Sequence, residues 1–420
     1  MQVGGEVVKL DKEKILAQNE QIAKQGYRVI ALAEGKHDNN EMYQEEALHN
    51  LTFLGLVGFI DPIRTDAISA IQKCQKAGIK VVMITGDHPL TAFTIAKQLH
   101  LATDYQQVMS GTEVTEALEE GQAEFNQKIA EKTVFTRVSP LEKLEIVNAY
   151  RRMGEFVAVT GDGVNDAPAL KAANIGVAVG SGTDVAKETG AMIITDDHFS
   201  SIVDGIEEGR VAYSNVRKVI LMLLSTGIAE VLLFTMAILM NLPIPLIAVQ
   251  ILWLNLVTNG IQDIALAFEK KEPGIMKEKP RDPKEKIFNI KLLEQTFLAS
   301  IMMAIIVFVF WQSLLSSGVA VETARGYILM LMVFMQNVHV FNCRSETQSI
   351  FRMKFNSNPV VFIAIFATLG IHFLVAQTAW SSILAVEPLA FNHIAYLLIL
   401  AIPIMFVMEI YKLTAPKKIN

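Results

Sequence analysis

Two patterns of apolar and polar positions divide the chain. From about residue 219 to 413, apolar residues run in long, nearly charge-free stretches, whereas residues 1–210 alternate short apolar runs with charged, helically periodic segments. A helix needs roughly 20 apolar residues to cross a hydrocarbon layer of ~30 Å. Six stretches meet that requirement: 219–240, 246–268, 292–315, 325–343, 359–377 and 392–412. Six core helices of a soluble protein would need polar faces that these stretches lack. Lys and Arg collect in 269–291, in 344–358 (Arg344, Arg352, Lys354) and in the tail (Lys412, Lys417, Lys418). Neither occurs in 241–245 or 378–391, and 316–324 has none before Arg325. Basic loops stay on the cytoplasmic side, so six spans place the soluble half, these loops and both termini together in the cytoplasm.

In the first half, β-branched apolar runs predict strands at 51–60, 79–85, 133–138, 155–160, 175–180 and 191–195. Helices are predicted between them, among others at 65–77, 89–100 and 140–153. Strand–helix alternation with fully apolar strands predicts an α/β, Rossmann-type parallel sheet covered on both faces. In such sheets chemistry sits beyond the carboxyl ends of the strands. Two of those ends carry the same tripeptide, in MITGDHP after 79–85 and in VTGDGVNDAP after 155–160.

Composition narrows the field further. Of 420 residues, 51% are hydrophobic and 19% charged, with mean hydropathy +0.35; ordinary soluble domains carry ~25% charge. Thirteen Pro and 25 Gly without a period exclude collagen-like or disordered classes. Cys74 and Cys343 lie too far apart in sequence and context for a C-x-x-C site or a disulfide framework. The net charge of −6, with no like-charged block, gives no sign of a nucleic-acid partner. MQVGGEVVKLDKEK has no apolar signal core.

The TGD loops offer backbone N–H groups to an anion. Asp162 and Asp166, four residues apart at a strand tip, suit Mg²⁺, which binds through one or two carboxylates plus phosphate oxygens and water. Lys143, on the preceding helix, could neutralise a transferring phosphoryl group. One TGD could instead be a capped turn, although the ten residues TGDGVNDAPA are far less expected by chance; Lys143 alone could be a solvated helix residue, and His88 is most simply part of its turn. In the membrane half, Glu230 sits mid-span. Asn255, Thr258, Asn259, Gln262 and Asp263 share one face at helical spacing. Carboxylates at that depth usually mark an ion path, and Gly260 could permit unwinding that frees carbonyls. A polar helix–helix interface is the alternative. Gln336, Asn337 and His339 add weaker candidates, His339 more as packing than as a ligand.

The segment TGDGVNDAPALKAANIGVAVGSGTDVAKETGAMIITDD resembles the hinge segment of P-type cation-transporting ATPases, whose catalytic domain has the haloacid-dehalogenase fold. DPIRTD (61–66), MITGDHPLTA (83–92) and the Lys143 segment match further blocks in order, and the six spans resemble the last six of type II pumps. The resemblance implies a Mg²⁺ site at Asp162 and Asp166 beside Asn165, Lys143 on the phosphoryl group, and Thr85, Gly86 and Asp87 in the phosphate pocket. It also implies ATP as substrate, with Arg64 and Arg137 as nucleotide contacts. Residues 1–50 would then be the end of a nucleotide-binding domain, 51–212 the phosphorylation domain and 213–420 the stalk and spans. Glu230, Asn255, Thr258 and Gln336 align with polar positions of calcium- and sodium–potassium-pump sites. At Asn259 those pumps carry Asp, and Asp263 lies one turn on. Ca²⁺ is the first reading of the ion, a monovalent cation or a proton the alternative. No Asp-Lys-Thr-Gly-Thr, the family's phosphorylated sequence, occurs here. The expectation is the C-terminal part of a pump, inactive towards ATP without its N-terminal part, in a bacterial plasma membrane. A membrane-anchored phosphohydrolase and a non-catalytic subunit are the rivals. Residues 198–240 are expected to form one long helix joining the catalytic domain to Glu230.

Overall fold

The computed structural model describes residues 2–3, 6–7, 9–35, 51–60 and 62–414. Residues 36–50 of the expected nucleotide-binding remnant, Asp61 of DPIRTD, and Lys417 and Lys418 lie outside the described residues. The chain divides into two compact units, Met1–Gly205 with Met276–Pro280, and Ile206–Ile275 with Arg281–Asn420.

The first unit opens with short antiparallel strands β1 (Gln2–Val3) and β2 (Glu6–Val7) and with helix α1 (Lys12–Ala23), capped by Asp11 on the Lys14 amide. Strand β3 (Arg28–Glu34) pairs antiparallel with β4 (Thr52–Phe59), with a register shift at Leu32/Ala33. The apolar run at 51–60 is therefore a strand, but one of an antiparallel pair and not of the parallel sheet expected for it. Then follow α2 (Thr65–Lys76), β5 (Met83–Thr85), α3 (Pro89–Gln98), β6 (Val108–Ser110), α4 (Gly111–Glu120), α5 (Gln122–Glu131) and β7 (Val134–Thr136). The unit continues with α6 (Pro140–Arg152), β8 (Ala158–Gly161), α7 (Ala167–Ala172), β9 (Ile175–Val179), α8 (Asp184–Thr189) and β10 (Met192–Ile194).

Strands β5 to β10 pair only in parallel, but as two three-stranded ladders, β5-β7-β6 and β8-β9-β10, where one sheet was expected. Burial separates their middle strands from their edges. All of Val134–Thr136 and residues 176–178 are buried, whereas β8 exposes Ala158 and Thr160 and β10 exposes Met192 and Ile193. Only strands covered on both faces need be apolar throughout. Among the described residues, β5 and β8 each pair along one edge alone. Helix α6 belongs to both cores. Its Ile146 and Ala149 pack with Phe125, Ile129 and Phe135, and its Val147 packs with Val159, Leu170 and Ala178. Ser139 and Glu142 close a reciprocal cap at its start, with Pro140 at the first helical position.

In the second unit, α9 (Phe199–Leu239) is uninterrupted over 41 residues. Helix α10 (Ala248–Trp253) continues through a π-helical turn, Leu254–Asn259, into α11 (Gly260–Ala267). Helices α12 (Ile290–Ser316), α13 (Val321–Cys343), α14 (Pro359–Ala376), α15 (Phe391–Ala401) and α16 (Pro403–Thr414) complete it. Among the described residues, five helical stretches are long and apolar enough to cross a membrane: α9, α12, α13, α14 and α15 with α16. The segment expected as a further span, 246–268, is helical over 248–267 but contains the π turn. Helix α13 is the centre of the bundle: 83% of its most apolar stretch is buried, against 28–39% in the other four. That explains its lower hydropathy, 1.3 against 2.1–2.3. Gln336, Asn337, His339 and Asn342 are all buried against neighbouring helices, where polar groups can find partners.

Buried ion pairs gather at one end. Arg344 meets Glu269 at 3.0 Å, Arg217 meets Glu346 at 2.7 Å and Lys218 meets Glu272 at 3.1 Å. They bring together the stretches after α11 and after α13. At the start of α13, Arg325 donates instead to the Ile244 carbonyl in the loop before α10.

Candidate functional site

In the first unit both TGD tripeptides fall where a strand meets a helix. Thr85 ends β5, and its hydroxyl donates to Asp87 Oδ2 at 3.0 Å while accepting from the Asp87 amide at 3.1 Å. His88 caps α3 through Nδ1, which accepts from the Leu90 amide, so its role is in the turn. Gly86 and Asp87 are exposed and Thr85 is half-buried. At the second tip, Asp166 Oδ2 accepts from the amides of Asp162 and Gly163 at 3.0 and 3.3 Å, and Oδ1 accepts from Lys143 Nζ at 2.7 Å. Only glycine fits at 161, because a Cβ there would lie 2.5 Å from the Asp166 Cβ. The Asp162 carbonyl accepts from the Thr183 amide at 2.7 Å, and the Asp162 and Asn165 side chains are exposed.

The electrostatics of Asp166 are mixed. Burial pushes its carboxyl up, but the Lys143 hydrogen bond, the Lys143 charge and the two amides outweigh that, and it lies below the ordinary carboxylate value. The pair leaves Asp162 as the exposed carboxylate of the loop. No group of three or more His, Cys, Asp or Glu able to hold a metal occurs among the described residues. One exposed and one paired carboxylate are still a donor set that Mg²⁺ can use with phosphate and water. Arg64 stands before α2 and donates to the Asp197 carbonyl at 2.6 Å. Arg137 follows β7, exposed and with φ 51°.

In the second unit a polar cluster lies inside the helices. Asn255 Nδ2 donates to Glu230 Oε2 at 3.1 Å. Asn259 Nδ2 donates to Thr226 Oγ1 at 3.0 Å and lies 3.3 Å from Asn255 Oδ1. Gln262 Nε2 donates to Asn337 Oδ1 at 2.9 Å. Glu230 Oε1, Asn259 Oδ1, Gln262 Oε1, Asp263 Oδ1 and both polar atoms of Gln336 are buried without a partner. The stripe is not uniformly interior. Thr258, Asn259 and Gln262 are buried and Asp263 half-buried, but Asn255 is exposed. Asn255 lies within the π turn, Leu254–Asn259, which is wider than 3.6 residues per turn. Such turns are frequent at functional sites; it stands where Gly260 was expected to permit unwinding. His339 bonds Ser225 at 2.8 Å and lies 3.4 Å from the Asn342 amide, as a packing residue does. Thr226 was not singled out in the sequence, although it lies four residues before Glu230 on the same face.

Three family profiles match parts of the chain. Residues 5–174 match the haloacid dehalogenase-like hydrolases, as do residues 143–206 in a second profile, and residues 243–414 match the cation transporting ATPase C-terminus. A calcium-transporting ATPase 1 of Bacillus cereus is 38% identical over 96% of this chain and 47% of its own length. Over nearly all of its length the chain is thus similar to the P-type cation-transporting ATPases. Other members of that family are similar: a calcium-transporting ATPase of Bacillus subtilis, 43% identical over 80% of this chain and 38% of its own, and the cation-transporting ATPase pma1 of Synechocystis, 42% identical over 72% and 34%. The chain spans about half the length, or less, of these relatives.

Proposed function

We propose that this chain works within a longer protein as the phosphorylation domain and the last six spans of an ATP-driven cation pump, with Ca²⁺ as the ion. The observation that supports it best is the set of buried oxygens without partners at Glu230, Asn259, Asp263 and Gln336. Buried polar atoms left unsatisfied are costly, and a hard cation with 6–8 oxygen ligands offsets that cost. A phosphohydrolase merely anchored in the membrane has no use for them. The calcium names of two relatives favour Ca²⁺. Asn259, standing where the calcium pumps carry Asp, favours a monovalent ion as the second reading.

In the catalytic unit Asp162 and Asp166 would hold magnesium, which supplies positive charge at the phosphate oxygens. Lys143 both holds Asp166 and presents an ammonium at the same strand tip. Thr85, Gly86 and Asp87 shape the other side of the phosphate pocket, with Asn165 on the turn beside it and Arg64 and Arg137 as nucleotide contacts. The acceptor Asp comes from the part of the pump outside this chain. Helix α9, about 60 Å long, acts as a strut from the catalytic unit to Glu230, which lies about 45 Å along it from Phe199. The soluble unit and both termini face the cytoplasm of a bacterial plasma membrane.

The test is the complete pump in sealed vesicles. ATP-dependent uptake of ⁴⁵Ca²⁺ is expected. Uptake of ²²Na⁺ alone would move the reading to a monovalent ion, and ATP hydrolysis without any ion uptake would favour the anchored hydrolase.

A further inference from the structure

We infer that Gln262 is a cation ligand and that Asn337, assisted by Thr368, is the positioning residue that turns its carbonyl oxygen towards the ion. This rests on the reading of the helical unit as a cation path. The reasoning is a chain of obligatory hydrogen bonds. The Val333 carbonyl can only accept, and Asn337 Nδ2 lies 2.8 Å from it. That fixes which end of the Asn337 amide carries the oxygen. Asn337 Oδ1 must then face Gln262 and Thr368, whose Nε2 and Oγ1 each approach it to 2.9 Å. The Thr368 hydroxyl also lies 3.0 Å from the Ile365 carbonyl, so its single proton is divided between two acceptors. Gln262 meets an acceptor and has to present its NH₂ group. Its Oε1 is left facing away, buried and without a donor.

All three side chains are deeply buried: Gln262 is 0%, Thr368 1% and Asn337 5% exposed. A glutamine whose only role was to join helices could satisfy its oxygen as well as its nitrogen. Here one half of the amide is locked and the other half is open. The open oxygen does not stand alone. Asn259 lies three residues before Gln262, within reach at helical spacing, and Asp263 follows it directly in sequence; each also carries an unpartnered buried oxygen. Gln336, next to Asn337 on α13, has both polar atoms unpartnered. The ligand that suits such a set is a hard, oxygen-seeking cation. Gln262 thus extends the site about two turns along the helix from the Glu230–Asn255 contact, and it brings α14, through Thr368, into control of ion affinity.

The complete pump carrying this sequence is measured for equilibrium ⁴⁵Ca²⁺ binding and for the cation and ATP dependence of hydrolysis. Gln262→Ala, with Gln262→Met as the variant that keeps the volume, is expected to raise the half-saturating cation concentration roughly tenfold and to leave the apparent affinity for ATP unchanged. Asn337→Leu is expected to shift it in the same direction by less, and Thr368→Val by less again. The double variant Gln262→Ala/Asn337→Leu should be no worse than Gln262→Ala, since residues acting through one another are non-additive. Cation affinity within twofold of wild type in both Gln262 variants would overturn the inference, as would effects of Gln262 and Asn337 that simply multiply. If the unmodified pump responds to no cation at all, the pump reading itself fails, which is a separate outcome.

Discussion

Glu230 and Asn255 meet between α9 and the π turn, with Asn255 Nδ2 donating to one carboxylate oxygen at 3.1 Å and the other oxygen left buried and unpartnered. A carboxylate held on one side and open on the other is oriented before any ion arrives. Glu230→Gln keeps the shape and removes the charge. In the complete pump it is expected to weaken cation binding by about 2–5 kcal/mol, the range for removing one partner of a buried charge interaction. Asn255→Leu keeps the charge and removes the orienting bond together with the Asn259 contact, and should cost about 0.5–1.5 kcal/mol for each bond lost. Equilibrium ion binding ranks the two; equal effects would mean that the Glu230 charge adds nothing beyond its hydrogen bond.

Lys143 and Asp166 give a pH signature. Burial raises the Asp166 carboxyl, and Lys143 with the two loop amides brings it below its ordinary value. A carboxyl depressed by folding contributes stability that is present above its unfolded pKa of about 3.9 and is lost as pH falls through the lower folded value. Lys143→Met removes the ammonium and leaves burial opposed by the amides alone. The Asp166 carboxyl should titrate at higher pH, so the variant has less acid-labile stability to lose and its acid limb should be shallower. Unfolding followed from about pH 2 to about pH 6, either side of the ordinary carboxylate value, in the variant and its parent checks this, and superimposable acid limbs would show that the pair contributes nothing.

Sequence patterning reached different depths in the two units. The spans 292–315, 325–343 and 359–377 could be read to within a few residues because unbroken apolar runs leave helices no alternative in lipid. The strand tips of both TGD tripeptides were equally legible, since Thr-Gly-Asp stops an apolar run at a defined place. Strand β6, Val108–Ser110, was not read, because its apolar run is only Val108 and Met109, whereas the equally short β5, β7 and β10 lie within longer apolar runs. The partner of β4 was missed for another reason: pairing across the chain is set by contacts that a local pattern does not contain. The stripe on 255–263 was visible, but the exposure of Asn255 was not. A π turn depends on the backbone hydrogen bonds actually made, whereas reading a helical face assumes 3.6 residues per turn throughout.

Arg344 and Glu269 form a bidentate pair, with Nε and Nη2 each 3.0 Å from a carboxylate oxygen, and the two side chains are 1% and 2% exposed. Asn358 Nδ2 donates to the same carboxylate at 3.0 Å, and Ser357 accepts from Arg344 at 2.6 Å. Breaking such a pair leaves a buried charge uncompensated, so Glu269→Ala should destabilise the helical unit by about 3–5 kcal/mol. Thermal unfolding of the detergent-solubilised protein measures this. Replacing both residues by apolar ones of similar volume should cost far less than the single change, and a single variant as stable as its parent would show the pair to be dispensable.

If the proposed strut is right, coupling depends on helix α9, because a force passes along a helix only while its backbone ladder is intact. Ala212 is exposed within its 41 residues, so substitutions there act on the helix rather than on side-chain packing. Ala212→Gly lowers helix stability by about 1 kcal/mol and Ala212→Pro by about 3 kcal/mol, and proline also breaks the i→i−4 bond and bends the axis. In vesicles containing the complete pump, ions moved per ATP should fall slightly with Gly and steeply with Pro, while equilibrium cation binding at Glu230 stays near its parent value. A pump that binds its ion and splits ATP yet moves little is the expected proline phenotype. Full transport per ATP with a proline at 212 would mean that displacement reaches Glu230 by another route, and the strut would then be only a connection.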